Sequence, residues 1–199
     1  MTVNFEVIPS GAALGADVVG LDLKKSIDKE TFERVLEAWN EHLVLRFRDQ
    51  MLSEEEFVRF SSYFGSLDDA PVRPVHGTYH PRSAKINVVS NIVSNGVAVG
   101  GLGNSELVWH QDMTYKSLPP KASILYGIQT PKTGGDTHFY NLNCAYENLP
   151  EELIKKIKGL SCKHDATRNS AGQLRAGFDE EYDNMRRPGA IHPLVIKHH

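Results

Sequence analysis

Apolar and polar positions alternate over Phe5-Glu-Val-Ile8 and again over residues 16–23, with Gly11 and Gly15 between them, which predicts two strands joined by a turn. The period then changes. Phe32, Val35, Leu36 and Trp39 recur at three- and four-residue spacing, so residues 28–41 are expected to form an amphipathic helix capped by Ser26 or Asp28. Leu43-Val-Leu-Arg-Phe47 is short and β-rich and reads as a buried strand. Ser53-Glu-Glu-Glu56 has capping-box spacing ahead of Phe57, Phe60 and Phe64, predicting a second helix that stops at Gly65. Strands are expected at 86–89, at 123–129 and, after the Gly134-Gly135 turn, at 137–140. A helix should begin near Asn143, break at Pro150 and resume over 151–158, with a strand at 160–164. Residues 68–82 and 165–189 lack periodicity; the first reads as a loop and the second, with Arg168, Arg175, Arg186 and Arg187, as a mobile surface segment or lid. Short strands with helices beside them predict a mainly β chain with flanking helices (α+β), jelly-roll-like and built as a single domain over 1–199.

Composition narrows the function classes. At 199 residues, 40% hydrophobic and 24% charged, the chain has the balance of one soluble globular domain with a real core. A formal charge of −3 leaves no basic footprint for nucleic acid or an anionic membrane, so the expected partner is a small molecule. No apolar run approaches the roughly 18 residues of a membrane span. The start, Met1-Thr-Val-Asn-Phe-Glu, lacks the basic and apolar stretches of a signal peptide, so a cytoplasmic location is expected. Cys144 and Cys162 have no metal-like or redox-motif spacing and read as reduced thiols.

The candidate chemistry lies in His110-Gln111-Asp112. On an extended segment, residues two apart point to the same side, so an imidazole and a carboxylate here can grip one face of a metal and leave other positions open. With nine histidines and eleven aspartates, chance alone gives about half a His-x-Asp per chain, so the flanks must carry the assignment. No other histidine has a carboxylate two residues on. The glycine-rich passage 95–104 runs directly into this segment, a common arrangement beside an active site.

Trp109-His-Gln-Asp-Met-Thr114, Pro119-Pro120, Ala122-Ser-Ile-Leu125 and Pro131-x-x-Gly-Gly-Asp-Thr137 together resemble the signature of the taurine dioxygenase (TauD/TfdA-like) family, in order and spacing, across about thirty residues. Residues 15–23, 43–50, Phe64-Gly65 and His192-Pro-Leu-Val195 extend the resemblance over most of the chain. It implies the double-stranded β-helix, or jelly roll, and a non-haem dioxygenase that uses Fe(II), 2-oxoglutarate and O2 to oxidise a C–H bond of a small polar metabolite, releasing succinate and CO2. Taurine- or sulfonate-like and amino-acid-like substrates both remain open. Under this resemblance His110 and Asp112 match metal ligands, and Thr137 matches the threonine that binds 2-oxoglutarate. Met113 and Tyr115, expected to point alternately from a strand beyond Asp112, are substrate-contact candidates with Asn104, Glu106 and His76; His80 shares the loop of His76. Trp109 is expected in the core and Gln111 facing away from the metal.

The resemblance also implies a third ligand, a histidine that lies in relatives beyond the segment similar to residues 192–198. His192, His198 and His199 do not take that role, and His164 is read as a structural histidine. The expectation is therefore a C-terminally incomplete β-helix lacking its last strands, with iron held weakly by two ligands. Exposed edges would then favour pairing with another chain, which leaves a homo-oligomer open. The alternative is a truncated or degenerate, non-catalytic β-helix protein acting in binding or assembly.

Overall fold

Near the start, alternation becomes pairing. In the computed structural model, which describes residues 3–70, 82–103, 108–170, 172–175, 177–179 and 186–198, β1 (Glu6–Pro9) runs antiparallel to β2 (Ala16–Val19). β2 in turn pairs in parallel with β3 (Leu45–Phe47), reached through α1 (Lys29–His42). Parallel neighbours need such a crossover, and α1 supplies it. Ala16 and Val18 point inward from β2 while Asp17 points outward to Arg46, its register partner on β3. The Arg46 fork meets both Asp17 oxygens at 2.6 and 2.9 Å and holds that carboxyl below its usual range, against the opposing effect of partial burial.

The helices start where their caps demand. Asp28 accepts from the Thr31 amide at 2.9 Å, satisfying a first-turn donor of α1. Ser53 and Glu56 close a reciprocal capping box at the head of α2 (Glu54–Ser62), with bonds of 3.2 and 2.7 Å. The apolar stripe of α1 and the phenylalanines of α2 meet over the sheet: Phe5, Val18, Leu21, Leu23, Ile27, Val35 and Phe60 form the buried core. Tyr126 joins through Phe57, 5.6 Å between ring centroids, and its hydroxyl bridges Gln50 and Leu52. These elements, with α3 (Leu142–Glu147), belong to one compact unit formed by residues 1–67 and 124–150.

Residues 68–123 and 151–199 form the second unit. Here β4 (Val89–Ser90) pairs in parallel with β7 (Gly101–Leu102), and β5 (Val93–Ser94) pairs antiparallel with β6 (Val97–Ala98). The turn between β5 and β6 is Asn95-Gly96, both at positive φ, the combination a tight hairpin requires. After α4 (Glu151–Ile157), β8 (Ser161–Asp165) and β9 (Gly189–Pro193) form a five-residue antiparallel ladder. Asp165 closes the end of β8: its Oδ1 accepts from the amide and hydroxyl of buried Thr167, both at 2.7 Å, and its Oδ2 meets Arg187 at 3.1 Å.

Burial works to raise the Asp165 pKa, but the Thr167 bonds and Arg187 outweigh it and hold the carboxyl below its ordinary value. A depressed carboxylate contributes stability above its unfolded pKa, near 4, and loses it as pH falls through the lower folded value. Asp165→Asn should therefore cost about 1 kcal/mol at neutral pH, modest because a third of the side chain is in water, and should flatten the fall in melting temperature from about pH 5 to pH 2. An unchanged acid slope would discard this role.

Several expected elements differ. The strands expected at 16–23, 43–47 and 86–89 are shorter, as β2, β3 and β4, and part of the glycine-rich passage forms β6 and β7. Residues 123–129 and 137–140 have the side chains of strands but form no ladder among the described residues. Strand propensity measures fit to neighbours, and here Leu125, Ile128 and Phe139 remain exposed. Trp109, expected in the core, is 67% exposed.

Candidate metal centre

His110 and Asp112 come together: His110 Nε2 and Asp112 Oδ1 lie 3.2 Å apart. Two donors about 2.1 Å from one metal and at right angles would be separated by about 3.0 Å, so the pair is spaced as an edge of an octahedron. Each side chain is also oriented from behind. His110 Nδ1 lies 2.7 Å from the Val108 carbonyl, to which it donates; in a neutral imidazole ligand the lone pair would then sit on Nε2. Asp112 Oδ2 accepts from the Ser123 hydroxyl at 2.7 Å, leaving Oδ1 toward His110. A neutral nitrogen with a hard carboxylate oxygen suits Fe(II) or Mn(II). Among the described residues, no group of three His, Cys, Asp or Glu side chains stands ready to hold a metal.

Beyond Asp112 the chain turns instead of continuing as a strand. Met113 takes φ 53° and Lys116 N donates to Met113 O at 2.9 Å, so Met113 and Tyr115 do not alternate as a strand would place them. His192 on β9 grips this turn, its Nε2 2.9 Å from both the Thr114 and Lys116 carbonyls. A ring nitrogen between two acceptors carries its hydrogen, so it has no lone pair for a metal. His164 on β8 packs edge-on against His192, 5.3 Å between centroids. Lys116 Nζ pairs with Asp68 at 2.9 Å. Tyr115 lies under Arg175, whose carbon is 4.2 Å from the ring centroid and whose NH1 donates to the phenol at 2.8 Å.

Gln111 is exposed. Thr137 belongs to the first unit, where it is exposed and follows the Gly134-Gly135 turn, both glycines at positive φ. His76, His80, Asn104 and Glu106 lie outside the described residues. Sequence reading missed Ser123 and the grip of His192. Ser123 reads as the start of a strand, and nothing in its spacing marks a bond to Asp112. His192 is separated by 78 and 76 residues from the carbonyls it holds.

A model of the taurine catabolism dioxygenase TauD, TfdA family matches residues 6–199. An alkylsulfatase of Acinetobacter baylyi is 32% identical over 192 residues, covering 93% of this chain and 56% of that protein. An alpha-ketoglutarate-dependent 2,4-dichlorophenoxyacetate dioxygenase of Cupriavidus pinatubonensis is 27% identical over 201 residues, covering 96% of this chain and 68% of that one. Among solved structures, a taurine dioxygenase from Burkholderia xenovorans superposes with a TM-score of 0.60 at 32% identity, over 82% of this chain and 54% of the other. The chain thus spans between about half and two thirds of the length of these relatives.

Proposed function

Since the chain belongs to the TauD, TfdA family of dioxygenases, we propose that it serves an Fe(II)- and 2-oxoglutarate-dependent oxidation of a small anionic metabolite, of the sulfonate, sulfate-ester or carboxylic-acid kind. The observation that carries this reading is the octahedral-edge spacing of His110 Nε2 and Asp112 Oδ1, each fixed by a partner on its far side. Bound iron with 2-oxoglutarate and O2 would supply the oxidation of a C–H bond, with succinate and CO2 as by-products. In this reading His110 offers a neutral nitrogen, Asp112 offers one charged oxygen, and Thr137 would hold the 2-oxoglutarate carboxylate by its hydroxyl. The names of relatives that act on a sulfate ester or an aryloxy acid support an anionic substrate. The jelly roll is the architecture proposed for the strands; of residues 165–189, expected as a lid, 171, 176 and 180–185 lie outside the described residues.

A second reading is a non-catalytic member serving binding or assembly. Succinate formation from 2-oxoglutarate in the presence of Fe(II) and candidate sulfonates, sulfate esters and aryloxy acids separates the two. The enzymatic reading expects succinate that requires both iron and substrate, and Asp112→Ala should lower it at least tenfold. Iron binding by the chain with no succinate from any of these substrates would favour the second reading.

A further inference from the structure

We propose that Ser123 is a positioning residue for the metal site, its hydroxyl holding the Asp112 carboxylate so that a single oxygen faces the metal. This rests on the reading of His110 and Asp112 as ligands. An ionised carboxylate only accepts hydrogen bonds, so in the 2.7 Å contact the serine donates and its one hydrogen is committed to Oδ2. Oδ1 is then the oxygen left facing His110 Nε2. A carboxylate free to rotate could instead offer either oxygen or both. Two coordinated oxygens would occupy two positions around the metal, where a facial set needs one from each ligand.

The placement of Ser123 is built into the chain. Pro119 and Pro120, four and three residues earlier, each fix φ and limit the paths the segment can take away from the turn. The other ligand is treated in the same way, with the Val108 carbonyl setting the ring of His110. Both donors are thus aimed by groups that do not themselves face the metal, as outer partners orient ligands generally. Asp112 is about half exposed, its side chain 54% accessible, so water competes for Oδ2 and the expected effect lies at the low end of the range for such partners.

The test is Mn(II) binding to the full chain, followed by water-proton relaxation, in the wild type, Ser123→Ala, Ser123→Thr and His110→Ala. Ser123→Ala should bind about tenfold more weakly, with a melting temperature within about 2 °C of wild type, and Ser123→Thr, which keeps the hydroxyl, should restore affinity. Equal or tighter binding by Ser123→Ala would overturn the proposal, as would weak binding by Ser123→Thr together with a lowered melting temperature in both variants, which marks a packing role. If the wild type shows no saturable Mn(II) binding, or binds as well after His110→Ala, the ligand reading itself fails and this inference fails with it.

Discussion

Phe60→Ala should destabilise the first unit by about 3–5 kcal/mol, a large share of the roughly 5–15 kcal/mol that holds a typical domain folded. Phe60 is 4% exposed and lies edge-on to two other rings, Phe47 at 5.4 Å and Phe64 at 5.6 Å between centroids. Truncation removes the buried ring and both edge contacts. It also leaves a hole between α2 and β3 that aromatic neighbours, with few rotamers, refill poorly. Phe60→Leu keeps most of the volume and should cost about 1–1.5 kcal/mol. Urea unfolding followed by far-ultraviolet circular dichroism reads both values, with an unchanged denaturant slope showing that the change is in stability. A loss below about 1.5 kcal/mol for the alanine variant would mean that Phe60 is not central to this core.

That core is also where the sequence was most legible. The spacing of Phe32, Val35 and Trp39 and the cap at Asp28 depend on contacts within a few residues, and α1 forms where they place it. The Ser53 and Glu56 pair is equally local, and both of its bonds are present. His110 and Asp112 are two residues apart and also meet at short range, although Asp112 lies in a turn and not on a strand.

What escaped is decided by partners far away in the chain. Met113 turns with a positive φ although it is not a glycine, and the turn is held by His192, Arg175 and Asp68, none within thirty residues of it. No local pattern announces a side chain that will be bent from elsewhere. Residues 123–129 have a strand's alternation, with Ile124 and Tyr126 half-buried and Leu125 exposed, yet a ladder needs a second strand and none of the described residues supplies it. Trp109 carries the apolar surface of a core residue, but its burial depends on what lies opposite.

Gly189→Ala should have the other large effect, at least about 2 kcal/mol and with consequences at the metal centre. Gly189 has φ 154°, which L side chains rarely adopt, and pairs with Asp165 at the end of the β8–β9 ladder. A methyl group built there would overlap the His164 carbonyl oxygen and approach its carbon to 3.0 Å and the Ala166 nitrogen to 3.3 Å. All three are backbone atoms of the partner strand or its continuation, so relief requires β9 to move away from β8. His192 lies three residues further along β9, and its hold on the Thr114 and Lys116 carbonyls should weaken with that movement. Faster amide exchange at Lys163 and Ile191, register partners in the ladder, would report the separation of the strands. A fall in Mn(II) affinity would report the loosened turn beside Asp112. His192→Gln separates the two effects: it leaves the ladder glycine in place while altering the grip, so affinity should fall with exchange at Lys163 and Ile191 unchanged. If Gly189→Ala left both exchange and affinity at wild-type values, β9 would not be what braces the turn.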